Sequence, residues 1–295
     1  MYKQIDSNKR QSFFLMFTFV LVIVALAWVW QTYYGGGYLI VILAAIFALT
    51  TSLLSFYSGD KIALSSAGAK EIKKEEYPQI YRLVENLAIT AGIPTPKTYI
   101  INDPSLNAFA TGRDPQHSSI ALTTGLINNL EKEELEGVIA HELAHVKNYD
   151  IRVMMVVIVC VGLITLLADW MVRSFIWGGA GRSNRDNNKG NPIALVIGLI
   201  LIVLSPIFAK LIQLAISRKR EYLADASGAL LTRYPEGLAK ALEKISRQSQ
   251  PLKRANKATA HLYIANPFAV SGKKISQAFS THPPIEERIK LLRQM

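Results

Sequence analysis

Four long apolar runs limit what this chain can fold into. They cover roughly Phe13–Trp30, Tyr38–Phe56, Val153–Val172 and Ile193–Ile216. Each is close to the ~20 residues that a helix, rising ~1.5 Å per residue, needs to cross ~30 Å of hydrocarbon. Trp28, Trp30, Tyr33, Tyr34, Trp170 and Trp177 stand at run ends, where amphipathic rings favour the headgroup layer. One such run suits the buried helix of a soluble protein, but four in 295 residues do not. Apolar residues make up 50% of the chain and charged ones only 19%, as expected if much of the surface meets lipid. The first run is too long for a cleaved signal peptide, and no small-residue cleavage site follows it. Asp169, near the end of run three, is expected at the far interface or paired with Arg173.

Lysine and arginine set the orientation. Lys3, Lys9 and Arg10 precede run one, the Gln31–Gly37 loop has none, and Arg218-Lys219-Arg220 follow run four. These place both termini and both long polar regions in the cytoplasm. The loop between runs three and four, with Arg173, Arg182, Arg185 and Lys189, argues the other way. The net charge of +11 reads as polar segments lying against anionic lipid. The cations are scattered and not interleaved with aromatics, which speaks against nucleic-acid binding. The single Cys160 lies inside run three and reads as a small buried hydrophobe.

The chemistry centres on His141-Glu142-Leu143-Ala144-His145. On a helix, residues four apart share a face, so both imidazoles can aim at one point with Glu142 beside them. That arrangement suits one zinc ion per chain, with two nitrogen ligands and a carboxylate base near its water. The alternative is an amphipathic helix with two surface histidines. A structural zinc scaffold fits poorly, because such sites usually have four ligands and rely on cysteine. A transporter fits poorly too, because the runs hold few ionisable groups.

Between the runs, Lys70–Ala91 reads as a helix with Pro78 as its blemish. Thr98–Ile101, Ala108–Thr111 and Ser119–Thr123 read as a small sheet. Glu131–Asp150 reads as the motif helix, with carboxylates in its first turn, running almost directly into run three. Ser217–Leu230, Leu238–Ser249 and Pro284–Leu292 read as helices, with Gln250–Lys274 as a loop.

A catalytic zinc normally takes three protein ligands and leaves one position open. If runs three and four form a membrane hairpin, the residues just before and just after it return to one face of the bilayer. His145 and Glu221 then sit at similar depth, which makes Glu221 the candidate third ligand. His261 and His282 are rivals. Asp225, four residues after Glu221, could accept the second ring N–H of a ligand histidine.

With these residues in hand, the chain resembles the HtpX-type membrane zinc proteases, bacterial relatives of the CAAX prenyl endopeptidases. The resemblance rests on His141-Glu142-x-x-His145, the segment Glu221-Tyr-Leu-Ala-Asp225, the segment Thr281-His282-Pro283-Pro284 and the paired runs beside the motif. It implies zinc on His141, His145 and Glu221 with Glu142 catalytic. It also implies a bacterial cytoplasmic-membrane enzyme that degrades damaged membrane proteins from the cytosolic side, often beside an ATP-dependent membrane protease. It further implies a substrate or transition-state contact for His282, and a substrate-binding strand at Asn107-Ala108-Phe109-Ala110. The expected fold is α+β and mostly helical, with four transmembrane helices and a cytosolic zincin-like domain holding a small sheet. The expected divisions are a hairpin at 1–57, a catalytic region at 58–152, a second hairpin at 153–216 and a second catalytic region at 217–295.

Overall fold

The computed structural model describes residues 2–158 except 36, then 160, 162, 218–247, 250–254, 259, 262–265, 267 and 283–295. Helix α1 (Tyr2–Tyr34) and helix α2 (Leu39–Ala67) are joined by a short turn in which Gly35 and Gly37 take positive φ. Within them, Gln4–Thr32 and Leu39–Ala67 are long and apolar enough to cross a membrane. Their outward faces are apolar: Phe13, Phe14, Phe17, Leu21, Ile42, Leu43, Ile46, Leu53 and Leu54 are all exposed. Their inward faces differ. On α1, Asn8, Ser12, Leu15, Phe19 and Ile23 are buried at helical spacing. On α2 the buried face is mostly small, with Ala48, Ser52, Ser55, Gly59 and Ala63, which lets helices approach closely.

Two candidate spans are therefore present among the described residues, where the sequence predicts four. Of run three, 153–158, 160 and 162 are helical. Val153, Val156, Val157 and Cys160 pack against Leu15, Phe19 and Ile23. The rest of run three, all of run four, Asp169, Arg173 and the charged loop between the runs lie outside the described residues.

Helix α2 continues past the apolar run to Ala67, where Gly68 at φ 68° ends it in a left-handed cap. The expected helix from Lys70 starts late. Strand β1 (Ala69–Glu71) comes first, and helix α3 runs Pro78–Ala91. Pro78 is the start of α3 and not a flaw inside it, because a first-turn proline lacks only an N–H that has no helical partner there. Strands β2 (Lys97–Ile101), β3 (Ala108–Asp114) and β4 (His117–Thr123) complete a sheet of order β1-β2-β4-β3. β2 and β4 are parallel, β1 pairs antiparallel with β2, and β3 and β4 form a hairpin that leaves β3 at an edge.

After the short helix α4 (Thr124–Asn129), helix α5 (Lys132–Lys147) carries the motif. Glu131 opens it, its backbone N–H donating to the Glu134 side chain at 2.8 Å in a capping box. It does not run straight on. Tyr149 takes φ 62°, a left-handed conformation unusual for a residue with a Cβ. The helical stretch beginning at Asp150 therefore leaves in a new direction. Helices α6 (Arg218–Thr232), α7 (Pro235–Arg247) and α8 (Ile285–Leu292) complete the described elements. One core holds this part together. Val84, Ile120, Leu122, Leu126, Val138, Ile139, Leu143, Leu238 and Leu242 meet between the sheet and α3, α5 and α7.

Candidate metal centre

Helix α5 is buried along most of its length, so His141 and His145 face the interior from adjacent turns. Their rings stand at 90°, with centroids 4.7 Å apart and Nε2 atoms 3.2 Å apart. Each Nδ1 meets a carboxylate. His145 Nδ1 is 3.0 Å from Asp150 Oδ2. His141 Nδ1 is 2.9 Å from Asp225 Oδ1. Carboxylates that draw the Nδ1 protons turn both Nε2 lone pairs toward the same space.

Glu221 faces that space from α6. Its Oε1 lies 3.5 Å from His145 Nε2 and its Oε2 lies 3.8 Å from His141 Nε2. The ligand atoms of His141, His145 and Glu221 all lie within 4.8 Å of one another. Two nitrogens ~2.0–2.1 Å from a tetrahedral zinc stand about 3.3 Å apart, close to the spacing here. Two imidazoles and one carboxylate, all buried, fit a divalent cation.

The electrostatics agree. Burial alone would lower the pKa of His145 in the metal-free chain. Asp150, Glu221 and Glu142 outweigh it and push His145 up to about 9. The pocket therefore favours positive charge, whether proton or metal. Glu142 is buried beside the histidines and accepts a hydrogen bond from the Ala110 backbone on β3. Burial raises its carboxyl pKa, helped by Glu221 and opposed by both histidines. A raised pKa suits a group that must take and then return a proton.

The approach of α6 has a local cause. Glu221, Asp225 and Gly228 recur at i, i+4 and i+7 on the face turned to α5. A Cβ at Gly228 would stand 3.0 Å from the His141 backbone nitrogen, so the missing side chain lets the helices meet where Asp225 and Glu221 reach the histidines.

Asp225 is held from the other side by Arg288 on α8. Arg288 Nε donates to Oδ2 at 2.8 Å and Nη2 to Oδ1 at 2.7 Å. Burial opposes ionisation of Asp225, but Arg288 and His141 keep its carboxyl well below the usual range. Arg288 also stands 3.6 Å from Glu221 Oε2. Asn107 is buried at the start of β3. Its Nδ2 donates to Ala265 O at 3.1 Å and its Oδ1 accepts from Ala108 N at 3.1 Å. Ile264 N donates to Ala108 O at 3.0 Å, so the outer edge of β3 is paired with this chain at that point. His282 and the rival ligand His261 lie outside the described residues.

Sequence reasoning missed Asp150 and Arg288 as partners of the histidines and Asp225. Asp150 could not be found while α5 was expected to continue, because only the Tyr149 corner turns it back. Arg288 left a signal: it is a cation on the face marked by Ile285, Ile289 and Leu292.

The model of peptidase family M48 matches residues 74–295. A protein from Dictyoglomus turgidum named "Protease HtpX homolog" is 48% identical over 294 residues, covering 100% of this chain and 94% of that one. A protein of the same name from Caldanaerobacter subterraneus is 45% identical, covering 100% and 98%. Another from Ligilactobacillus salivarius is 40% identical and matched along its full length. Among solved structures, S. mikatae Ste24p matches 99% of this chain and 67% of its own, with a TM-score of 0.54 at 19% identity.

Proposed function

The chain belongs to peptidase family M48 and is a metalloprotease, and on that premise we propose that it is a zinc-dependent endopeptidase of the bacterial cytoplasmic membrane. The observation that carries the metal is the His141–His145–Glu221 cluster, whose ligand atoms lie within 4.8 Å of one another. Zinc held there supplies Lewis acidity and a water acidic enough to ionise near neutral pH. Glu142 takes a proton from the attacking water and returns it to the leaving amine. Asp150 and Asp225 hold the two imidazoles in the tautomer that faces the metal. His282 is assigned, from the resemblance of its His-Pro segment, to contact the carbonyl oxygen as charge develops on it.

The orientation is multi-pass with cytosolic termini and active site, supported by Lys3, Lys9 and Arg10 before α1 and Arg218–Arg220 after run four. The hairpin 1–57 and the stretch 153–216 anchor the chain, while 58–152 and 217–295 build the site. The substrates are damaged or misassembled membrane proteins, and an ATP-dependent membrane protease shares the task. The likeness to HtpX-type proteases supports that role. Cleavage of an unfolded membrane protein by the detergent-purified chain, with and without a chelator, tests the chemistry. Capture of bound proteins by Glu142→Gln in cells tests the substrate class: a catch of soluble proteins alone would overturn it.

A further inference from the structure

The M48 match begins at residue 74, yet the described metal centre draws on a residue far upstream. Asn8 is fully buried near the start of α1. Its Nδ2 donates to Asp150 Oδ1 at 2.7 Å and to Asn148 O at 2.8 Å. Asp150 uses its other oxygen, Oδ2, on His145 Nδ1. The Asn148 carbonyl stands at the C-terminal end of α5, where no helical donor remains to satisfy it. One amide therefore caps the motif helix and fixes the carboxylate that orients a candidate metal ligand. Next to it, Arg220 Nη2 donates to Gln11 Oε1 at 2.6 Å, and Arg220 Nε lies 3.6 Å from Asp150 Oδ1. Arg220 immediately precedes Glu221, so the same α1 face also touches the neighbour of the third candidate ligand.

We propose that Asn8 is a positioning residue of the metal centre, acting through Asp150 on His145, so that the first membrane helix is part of the site and not only its anchor. An amide suits the task. Both of its N–H groups meet oxygens, and it brings no charge against the Asp150 carboxylate. In sequence, Asn8 and Ser12 are the polar beginning of a buried face that continues through Leu15, Phe19 and Ile23, so the polar end lies level with the metal centre and the apolar end among the helices.

This rests on the zinc reading above, and the test separates the two. Full-length protein in detergent is loaded with zinc, and metal release to a chelating dye is timed for wild type, Asn8→Ala, Asp150→Asn and the double variant. Partners that orient metal ligands are typically worth 10–100-fold in metal affinity. That range applies to Asp150→Asn, and Asn8→Ala, one bond further from the metal, is expected to release zinc about three- to tenfold faster. The double variant should match Asp150→Asn alone, because the two residues act in series. Asn8→Ala also strips the cap from the Asn148 carbonyl and should lower the melting temperature of the metal-free form. Release is therefore timed well below every melting point, and the double variant, not the melting temperature, separates positioning from packing. Release by Asn8→Ala within twofold of wild type overturns the proposal and leaves the zinc reading standing. Additive effects in the double variant also overturn it. Failure of the wild-type chain to retain zinc overturns both.

Discussion

Arg288 grips Asp225 at two points, Nε to Oδ2 at 2.8 Å and Nη2 to Oδ1 at 2.7 Å, with both residues buried. The same carboxylate is 2.9 Å from His141 Nδ1. A guanidinium from the last helix thus keeps charged the group that orients a histidine of the motif. Arg288→Ala leaves a buried carboxylate uncompensated, a change that typically costs ~3–5 kcal/mol. Arg288→Lys keeps the charge but loses the fork. Both variants should bind zinc more weakly than wild type, with Lys the milder. Equilibrium competition with a chelator measures this, and wild-type affinity in Arg288→Ala would refute it.

Glu142→Gln should keep zinc and lose proteolysis, falling by ~100-fold or more in kcat, the scale of general acid–base catalysis. The buried site accepts an amide of equal size, so metal content should stay near one per chain. An unchanged cleavage rate would remove Glu142 from the role of base.

Glu221→Ala should empty the site. It deletes one of three candidate ligands and leaves two histidines that can share a proton. Metal analysis after dialysis is the check, and full occupancy would move the third ligand elsewhere.

Metal uptake should depend on pH because His145 must give up a proton to bind. Its folded, metal-free pKa is raised from 6.5 to about 9. Zinc affinity should therefore climb up to tenfold per pH unit from ~7 to ~9 and then flatten. The metal-free chain should show the opposite trend in stability. A raised folded pKa adds stability that is complete below ~6.5 and is lost as pH rises through about 9. Affinity titrations and melting curves of the metal-free protein at pH 6, 7.5 and 9 would show both slopes, and flat curves would mean that His145 is already neutral.

Much of the architecture was legible because its signals are local. Run length marked the two helices of the hairpin, and β-branched clusters located β2, β3 and β4 to within a few residues. The glutamates at 131 and 134 marked the start of α5. Other features depend on contacts between distant parts of the chain. The three residues of β1 are too few to show a period, and only pairing with β2 makes them a strand. The apolar period from Lys70 onward hides where the helix starts, because the residues before Pro78 include β1 and the proline itself opens α3. Asp150 reaches His145 only through the left-handed Tyr149, and nothing about a tyrosine announces positive φ. Asn8 meets Asp150 across 142 positions of sequence, a separation no periodic pattern encodes.

Gly228 carries a consequence of its own. A methyl group there would press on the amide at which His141 begins, 3.0 Å away, and rigid main chain has little room to yield. Even alanine would require α5 and α6 to give by a few tenths of an ångström at the face that brings Glu221 and Asp225 to the imidazoles. The permitted alphabet at this silent position is thus dictated by chemistry in which it takes no part.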